Sequence, residues 1–194
     1  MQEHDAIALL KRGDIAGLDT LVHLYQYQAV RAATLIVRDR AVAEDVVQSA
    51  FLRVVGRIHQ FDSQRPFGPW FLRIVVNDAL KEGQRRERFT SLNQPGETEQ
   101  SPLDLLPDQA SDPELLLEQG ETREAVVDAL NRLTPLQRTA IVQRYYLGMS
   151  EAEMARDGAS TVGAIKLRLF AARERLHRLL RPLLRESASI KDLP

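Results

Sequence analysis

The amino-acid sequence predicts an all-α protein, in which two small helical domains are joined by a flexible acidic linker. Apolar residues recur at helical spacing along most of the chain, and no segment alternates as a β-strand would. Residues 91–113 interrupt this pattern with four of the nine prolines and no Lys or Arg. We therefore expect a first domain at residues 1–88, a linker at 89–112, a second domain at 113–185 and a tail at 186–194.

Composition narrows the class of protein. The chain has 194 residues, of which 44% are hydrophobic, so it can form real cores. It contains no cysteine, which excludes a disulfide framework and a thiolate metal site, and no cofactor is indicated. The first residues lack the basic-then-apolar order of a signal peptide, and no apolar run approaches the ~18 residues that span a bilayer. We expect a cytoplasmic protein without membrane insertion.

The formal net charge of −1 conceals three blocks of different sign. Residues 1–88 carry 13 Lys and Arg against 11 Asp and Glu, and residues 89–130 carry one Arg against 10 acidic residues. Residues 131–185 carry 11 Lys and Arg against 4 acidic residues. The basic final block indicates either a nucleic-acid partner or a solvated helical face, and charge by itself does not separate the two.

The first domain is predicted to contain four helices. They span about residues 2–11, 15–38, 41–60 and 68–88. Gly13 breaks the first helix, and Asp14 can cap the second. The third helix carries Asp45 and Gln48 away from its apolar stripe. The fourth begins near Trp70 and ends in the polar, mostly basic stretch KEGQRRER.

Capping signals mark the helices of the second domain. Asp112-Pro113 reads as an N-cap followed by proline at the first helical position, and this helix should end near Leu133. Thr134–Gln137 and Ser150–Glu153 are two further starts, each with the spacing of a capping box. The helix that begins after Thr134 is expected to end near Leu147.

The last two helices are predicted to form a helix-turn-helix. The first should end near Arg156, because Gly158 costs a helix roughly 1 kcal/mol relative to alanine. The second should span about residues 161–180 and be closed by Pro182. Its apolar stripe consists of Val162, Ile165, Leu169, Ala172 and Leu176, and its other faces carry Lys166, Arg168, Arg173, Arg175 and Arg178.

A helix-turn-helix inserts its second helix into the major groove of DNA, where Lys and Arg bind phosphates or guanine edges. Phe170 lies off the apolar stripe and can contact either a thymine methyl group or a neighbouring helix. The alternative is a helical hairpin with a charged outer face. This segment by itself favours DNA binding only modestly.

Three stretches of the chain resemble a known protein family. They are AEDVVQSAFLRVVGRIHQF at residues 43–61, GPWFLRIVVNDALKEGQRRER at residues 68–88 and LTPLQRTAIVQRYYLGMSEAEMARDGASTVGAIKLRLFAARERL at residues 133–176. In this order and spacing they resemble the extracytoplasmic-function group of the sigma-70 family, the small two-domain sigma factors of bacteria. The resemblance implies a non-catalytic subunit that binds core RNA polymerase and the minus-10 and minus-35 elements of promoter DNA. It leaves open an anti-sigma factor as a further partner.

The resemblance also implies roles for individual residues. Asp45 and Gln48 match positions that dock on the clamp helices of polymerase. The positions matched to opening of the minus-10 element are Trp70, Arg73, Val76 and Asn77, and those expected to hold DNA phosphates are Arg85, Arg86 and Arg88. Trp70 is expected in the core, and residues 61–68 are expected to rim a pocket for an unstacked base. The positions matched to the minus-35 element are Lys166, Leu167, Arg168, Phe170 and Arg173.

The chain departs from the family pattern in the helix-turn-helix. Asp157 and Gly158 stand where apolar residues are usual, Leu167 stands where serine is frequent, and Ala171 replaces a frequent arginine. A lost bidentate base contact removes about 1–3 kcal/mol of discrimination. The alternative hypothesis is therefore a sigma-like interaction module with impaired minus-35 recognition.

An enzyme is the least supported hypothesis. The four histidines, His4, His23, His59 and His177, are dispersed along the chain. The sequence contains no His-Glu-x-x-His, Gly-x-Ser-x-Gly or phosphate-binding loop. We expect no catalytic residue.

Overall fold

The computed structural model describes residues 2–92 and 113–191, with side chains described for residues 2–89 and 122–182. These residues form helices and no strand, so the predicted all-α fold is confirmed for them. The α-helices are α1 Glu3–Lys11, α2 Ala16–Val37, α3 Arg40–Arg57, α4 Phe67–Leu92, α5 Pro113–Asn131, α6 Pro135–Ile141, α7 Glu151–Asp157 and α8 Val162–Lys191. Within the described ranges, none of them has the length and apolar character needed to cross a membrane.

Helix α2 is the centre of a first helical unit, and α1, α3 and α4 pack against it. Buried aromatic rings fill the space between α3 and α4. Phe51 stacks on Phe71 with ring centroids 4.3 Å apart, and Phe67 stacks on Phe71 at 5.8 Å. Gly17 lets α1 approach α2 closely, because a Cβ atom there would lie 2.2 Å from the Ala6 carbonyl oxygen.

Helices α5 to α8 form a second unit with its own small core. This core consists of Ala140, Met149, Met154, Ala155, Ile165 and Leu169. Both predicted capping boxes are confirmed, since Gln137 N donates to Thr134 Oγ1 and Glu153 N donates to Ser150 Oγ, each at 3.3 Å. Helices α7 and α8 form the predicted helix-turn-helix, and α7 ends at Asp157, one residue later than predicted.

The two units share apolar contacts. Val142 of the second unit is buried in the core of the first, and Tyr146 packs against the same core. Arg38 Nη1 at the end of α2 donates to the Asn131 carbonyl oxygen at the end of α5, 3.1 Å away. The described parts of the two units therefore form one packed arrangement.

Other helix boundaries also differ from the prediction, and α4 ends at Leu92, beyond the predicted residue 88. Helix α3 ends at Arg57, before a 3-10 turn at Ile58–Gln60, and α6 gives way to a π-helical segment at Val142–Tyr146. Helix α8 continues through Pro182 to Lys191, so the prediction that Pro182 closes it was wrong.

A proline removes one hydrogen bond from a long helix, and the leucines around Pro182 are strong helix formers that can continue it. Part of the predicted tail therefore belongs to α8. Residues 93–112, which make up most of the predicted linker, lie outside the described residues.

Candidate polymerase and promoter interface

The outer face of α3 carries the residues matched to polymerase docking. Asp39 caps this helix, since Val42 N donates to Asp39 Oδ1 at 3.1 Å. Asp45 and Gln48 are exposed and lie about one turn apart, so they share a face. Leu52 lies one further turn along and is 65% exposed. The face therefore offers a carboxylate, an amide and an apolar side chain to a partner.

Arg73 on α4 contacts two carboxylates of the second unit. Its Nε lies 2.9 Å from Asp157 Oδ2, and its Nη2 donates to Glu153 Oε1 at 3.3 Å. Neither Arg73 Nε nor Asp157 Oδ2 has a well-aligned hydrogen bond within the described residues, so this shorter contact is Coulombic. Burial raises the pKa of Asp157, and the positive charges of Arg73 and Arg156 only partly oppose that effect.

A cavity of about 430 Å³ adjoins Arg73. The loop before α4 supplies one side of it through Phe61 and Arg65, and Trp70 forms part of its wall. Glu153 and Arg156 of α7 line the opposite side. The cavity therefore lies between the loop expected to rim a base pocket and α7 of the second unit.

The first half of α8 separates buried from exposed side chains. Ile165 and Leu169 are buried, whereas Leu167 and Phe170 are 72% and 61% exposed. Thr161 caps the helix, since Ala164 N donates to Thr161 Oγ1 at 3.1 Å. The helix therefore presents an apolar outer face together with the cations that its sequence places around it.

Comparison with known proteins identifies the family. The family models for sigma-70 region 2 and sigma-70 region 4 match residues 21–89 and 123–176. The ECF RNA polymerase sigma-E factor of Escherichia coli is 30% identical over 91% of this chain and 93% of its own length. The RNA polymerase sigma-H factor of Pseudomonas aeruginosa is 29% identical, with 96% and 97% covered. The chain belongs to the extracytoplasmic-function sigma factors of the sigma-70 family.

Solved structures share the fold. The sigma factor RpoE of Bartonella quintana, in complex with the anti-sigma factor NepR, has a TM-score of 0.61 at 24% identity, with 84% of this chain and 96% of that one covered. The structure of CnrH, in complex with the cytosolic domain of CnrY, has a TM-score of 0.58 at 22% identity, with 93% and 97% covered.

Family membership establishes what this sigma factor does. It is an RNA polymerase sigma factor, which directs promoter-specific initiation of transcription by binding core polymerase and promoter DNA. The alternative of a sigma-like interaction module is not favoured, because both DNA-recognition regions match their family models.

The residues matched to the minus-10 element are only partly accessible in the sigma factor. Val76 is fully buried in the core of the first unit, and its matched role at the minus-10 element stays a prediction. Trp70 was expected in the core; it is half-buried, and it packs against the core on Phe61 with ring centroids 5.0 Å apart. Asn77 is half-buried, and Arg73 is held by α7 through Glu153 and Asp157. The sequence places these residues on one helix without showing which face each occupies.

The three arginines near the end of α4 all interact with the sigma factor's own chain. Arg85 Nη2 lies 2.8 Å from Glu82 Oε1, and Arg86 Nη2 lies 3.0 Å from Asp39 Oδ2. Arg88 Nε donates to the Gln84 carbonyl oxygen at 3.3 Å. Partly exposed pairs of this kind contribute little to stability, so phosphate oxygens can replace these partners.

Sequence reasoning misses two features of the sigma factor. Asp157 stands out in the sequence only as an unusual residue, and no pattern there indicates Arg73 as its partner. Leu52 is not among the predicted docking residues, although it shares the face of Asp45 and Gln48. A search for apolar residues on the polar face of α3 would find it.

Among the described residues, no group of three His, Cys, Asp or Glu side chains is arranged to hold a metal ion.

Proposed function

We propose that the two units of this sigma factor divide promoter recognition between them. Residues 1–88 dock on core polymerase and open the minus-10 element, residues 113–185 bind the minus-35 element, and residues 89–112 connect the two. The observation that carries this proposal is the pair of exposed surfaces: the face of α3 and the outer face of α8. Each belongs to a different matched region of the family.

The docking surface on polymerase consists of Asp45, Gln48 and Leu52. Their exposure and shared face support this role, because a partner can contact all three at once. Reversing the charge of the exposed Asp45 opposes any cationic partner without disturbing the core.

The experiment is a competition assay for core polymerase with the Asp45→Arg variant. We expect this variant to lose core binding while its circular dichroism spectrum is unchanged. Asp19→Arg is the matched control, because Asp19 is an exposed carboxylate on α2. Full binding by the Asp45→Arg variant would contradict the docking assignment.

The minus-10 surface consists of Arg73, Asn77 and the adjoining cavity, with Arg85, Arg86 and Arg88 on phosphates. The aromatic lining of the cavity supports this role, because an unstacked base can be held by stacking and by hydrogen bonds. Asn77 offers both a donor and an acceptor to a base edge. We expect Arg73→Ala holoenzyme to lose promoter opening, measured by permanganate reactivity of thymines, and to retain core binding.

The minus-35 surface consists of Lys166, Leu167, Arg168, Phe170 and Arg173 on α8. Run-off transcription by holoenzyme from a randomised promoter library tests both surfaces together. We expect enriched promoters to share two upstream boxes. Enrichment of the proximal box alone would contradict the role of α8.

We infer that the sigma factor supplies no catalytic group, since polymerase performs the chemistry, and that it acts in the cytoplasm with polymerase. An anti-sigma partner is also proposed, because the structures of RpoE and CnrH are both complexes with a second protein or its domain. Co-purification from cells, followed by mass spectrometry of the bound proteins, tests for that partner.

A further inference from the structure

The outermost position of the α8 surface is apolar. Ile165, Leu169 and Ala172 define the buried side of this helix. At 3.6 residues per turn, Leu167 points almost directly away from them, with Phe170 beside it. Neither side chain belongs to the core of either unit. Packing within the chain therefore does not account for two large apolar side chains at this position.

Cations border the apolar strip, which consists of Leu167 and Phe170, on both sides. By helical periodicity, Lys166 and Arg173 lie along one edge, and Arg168 and Arg175 lie along the other. The major groove has the complementary arrangement, since phosphate backbones border it on both sides and base edges form its floor. A helix seated there by its edge cations directs Leu167 and Phe170 at the bases.

The apolar strip lacks the side chains that usually form hydrogen bonds with base edges, such as Arg, Asn and Gln. Over the first turns of α8, Ala171 and Gly163 share the outward side with Leu167, and neither has a side chain that can form a hydrogen bond. Glu174 follows on the same side two turns after Leu167. The apolar group that base edges present in the major groove is the C5-methyl group of thymine. We propose that Leu167 and Phe170 read thymine methyl groups in the minus-35 element. This inference rests on the proposed role of α8.

Replacing thymine by uracil tests this proposal, because uracil keeps the hydrogen-bonding groups of thymine and lacks only the methyl group. The minus-35 element selected from the randomised library is synthesised with uracil at one thymine at a time, and holoenzyme affinity is measured. We expect a roughly fourfold loss at one or two adjacent thymines, the effect of one buried methyl group. The double variant Leu167→Ala, Phe170→Ala should bind both forms equally, and the exposed-site control Ile15→Ala should retain the difference.

Two results would overturn the methyl-reading proposal while leaving the role of α8 intact. One is a specific minus-35 element without thymine, and the other is equal affinity for the thymine and uracil forms. Loss of any minus-35 preference would instead contradict the proposed function itself. The three outcomes are distinguishable in the same set of measurements.

A second inference comes from a different observation, the position of α7 over the cavity beside Arg73. Glu153 and Asp157 place two carboxylates on a cation proposed to contact DNA, and Glu153 also lines the cavity. Carboxylate oxygens and phosphate oxygens bind a guanidinium in the same way. We infer that α7 occupies the minus-10 site within the free chain, so that DNA can enter only after α7 moves away.

The variant Glu153→Gln tests this inference, because it removes the charge of the carboxylate that accepts a hydrogen bond from Arg73 and retains side-chain size. Gln at position 153 can also complete the capping box with Ser150. The measurement is fluorescence anisotropy of a single-stranded minus-10 oligonucleotide, taken from the selected promoters, with the free protein. We expect Glu153→Gln to bind several-fold more tightly than the original chain, and Glu151→Gln, on the same helix, to leave the affinity unchanged.

Equal affinity for the oligonucleotide in the original chain and the Glu153→Gln variant would overturn the inference that α7 covers the site. The proposed role of Arg73 is tested separately by promoter opening in holoenzyme, where α7 need not cover the site. Suppose that Arg73→Ala holoenzyme loses promoter opening, while the original chain and the Glu153→Gln variant bind the oligonucleotide equally. The inference that α7 covers the site would then be wrong, and the proposed role of Arg73 would stand.

Discussion

The two surfaces proposed to bind DNA differ in how far the chain already engages them. On α4, carboxylates of the same chain contact Arg73, Arg85 and Arg86. On α8, Leu167 and Phe170 are exposed, and the contact of Lys166 with Glu151 is a long one, at 3.8 Å. DNA binding at α4 therefore exchanges one set of ionic partners for another, whereas binding at α8 mainly displaces water.

The largest change in stability is expected from the loss of a buried aromatic ring of α4. Phe71 is fully buried and stacks on Phe51 and Phe67, so Phe71→Ala should lower the free energy of unfolding by about 3–5 kcal/mol. Chemical denaturation measures this change. Phe89→Ala is the control, because Phe89 is 58% exposed and its loss should change stability by less than about 0.5 kcal/mol. Equal effects of the two substitutions would contradict the assignment of the core.

A large side chain at position 83 should separate the two units. A Cβ atom there would lie 3.6 Å from both Pro135 Cβ of α6 and the Ile36 carbonyl oxygen of α2, which are ordinary contacts, but a longer side chain would press on both helices. Gly83→Ala should raise the free energy of unfolding by about 1 kcal/mol through helix propensity.

Gly83→Leu should instead increase the distance between the units and release Arg73. Because the chain lacks cysteine, a pair of engineered cysteines can carry dyes for an energy-transfer measurement of that distance. An unchanged distance in Gly83→Leu would show that the contact between α4 and α6 yields without separating the units.

Capping variants should affect the two surfaces differently. Ser150→Ala removes the cap of α7 and Thr161→Ala removes the cap of α8, each at a cost of about 1 kcal/mol. The loss of Ser150 should also raise the pKa of Glu153, because the hydrogen bond from Ser150 is the main cause of its lowering. We expect Ser150→Ala to strengthen binding of the minus-10 oligonucleotide and Thr161→Ala to weaken binding of minus-35 DNA. The reverse pattern would contradict the division between α7 and α8.

The smallest effect is expected from a change of pH, which should alter the packing of the two units only slightly. The pKa of Asp157 is raised in the packed arrangement, so that arrangement binds a proton more readily than one in which Asp157 is solvated. The contribution of this group to packing is therefore fully present below its ordinary pKa and is lost as pH rises through the raised value. Energy transfer between the units should increase slightly as pH falls through that window, and Asp157→Asn should remove that part of the response. Arg73, Arg156 and Glu153 are the charged groups that influence Asp157.

The candidate surfaces are predictable in different degrees. Helical periodicity alone separates Lys166 and Arg168 from the apolar stripe of α8. It cannot assign Val76 to the core, because α4 has apolar residues on more than one side and only its packing selects the buried ones. The prediction that Pro182 ends α8 was wrong because it considered only the proline. The leucines around Pro182 are strong helix formers, and they continue the helix.

The sequence by itself determined the helices, both capping boxes and the family, because each depends on residues a few positions apart or on motifs in a defined order. The tertiary structure decided what Asp157 contacts, which side of α4 is buried and that α7 contributes to the lining of the cavity. Arg73 and Glu153 are 80 positions apart in the chain, and no local pattern specifies such a pair. The physical reason is that backbone hydrogen bonding acts over single turns, whereas the meeting of two helices depends on all the packing between them.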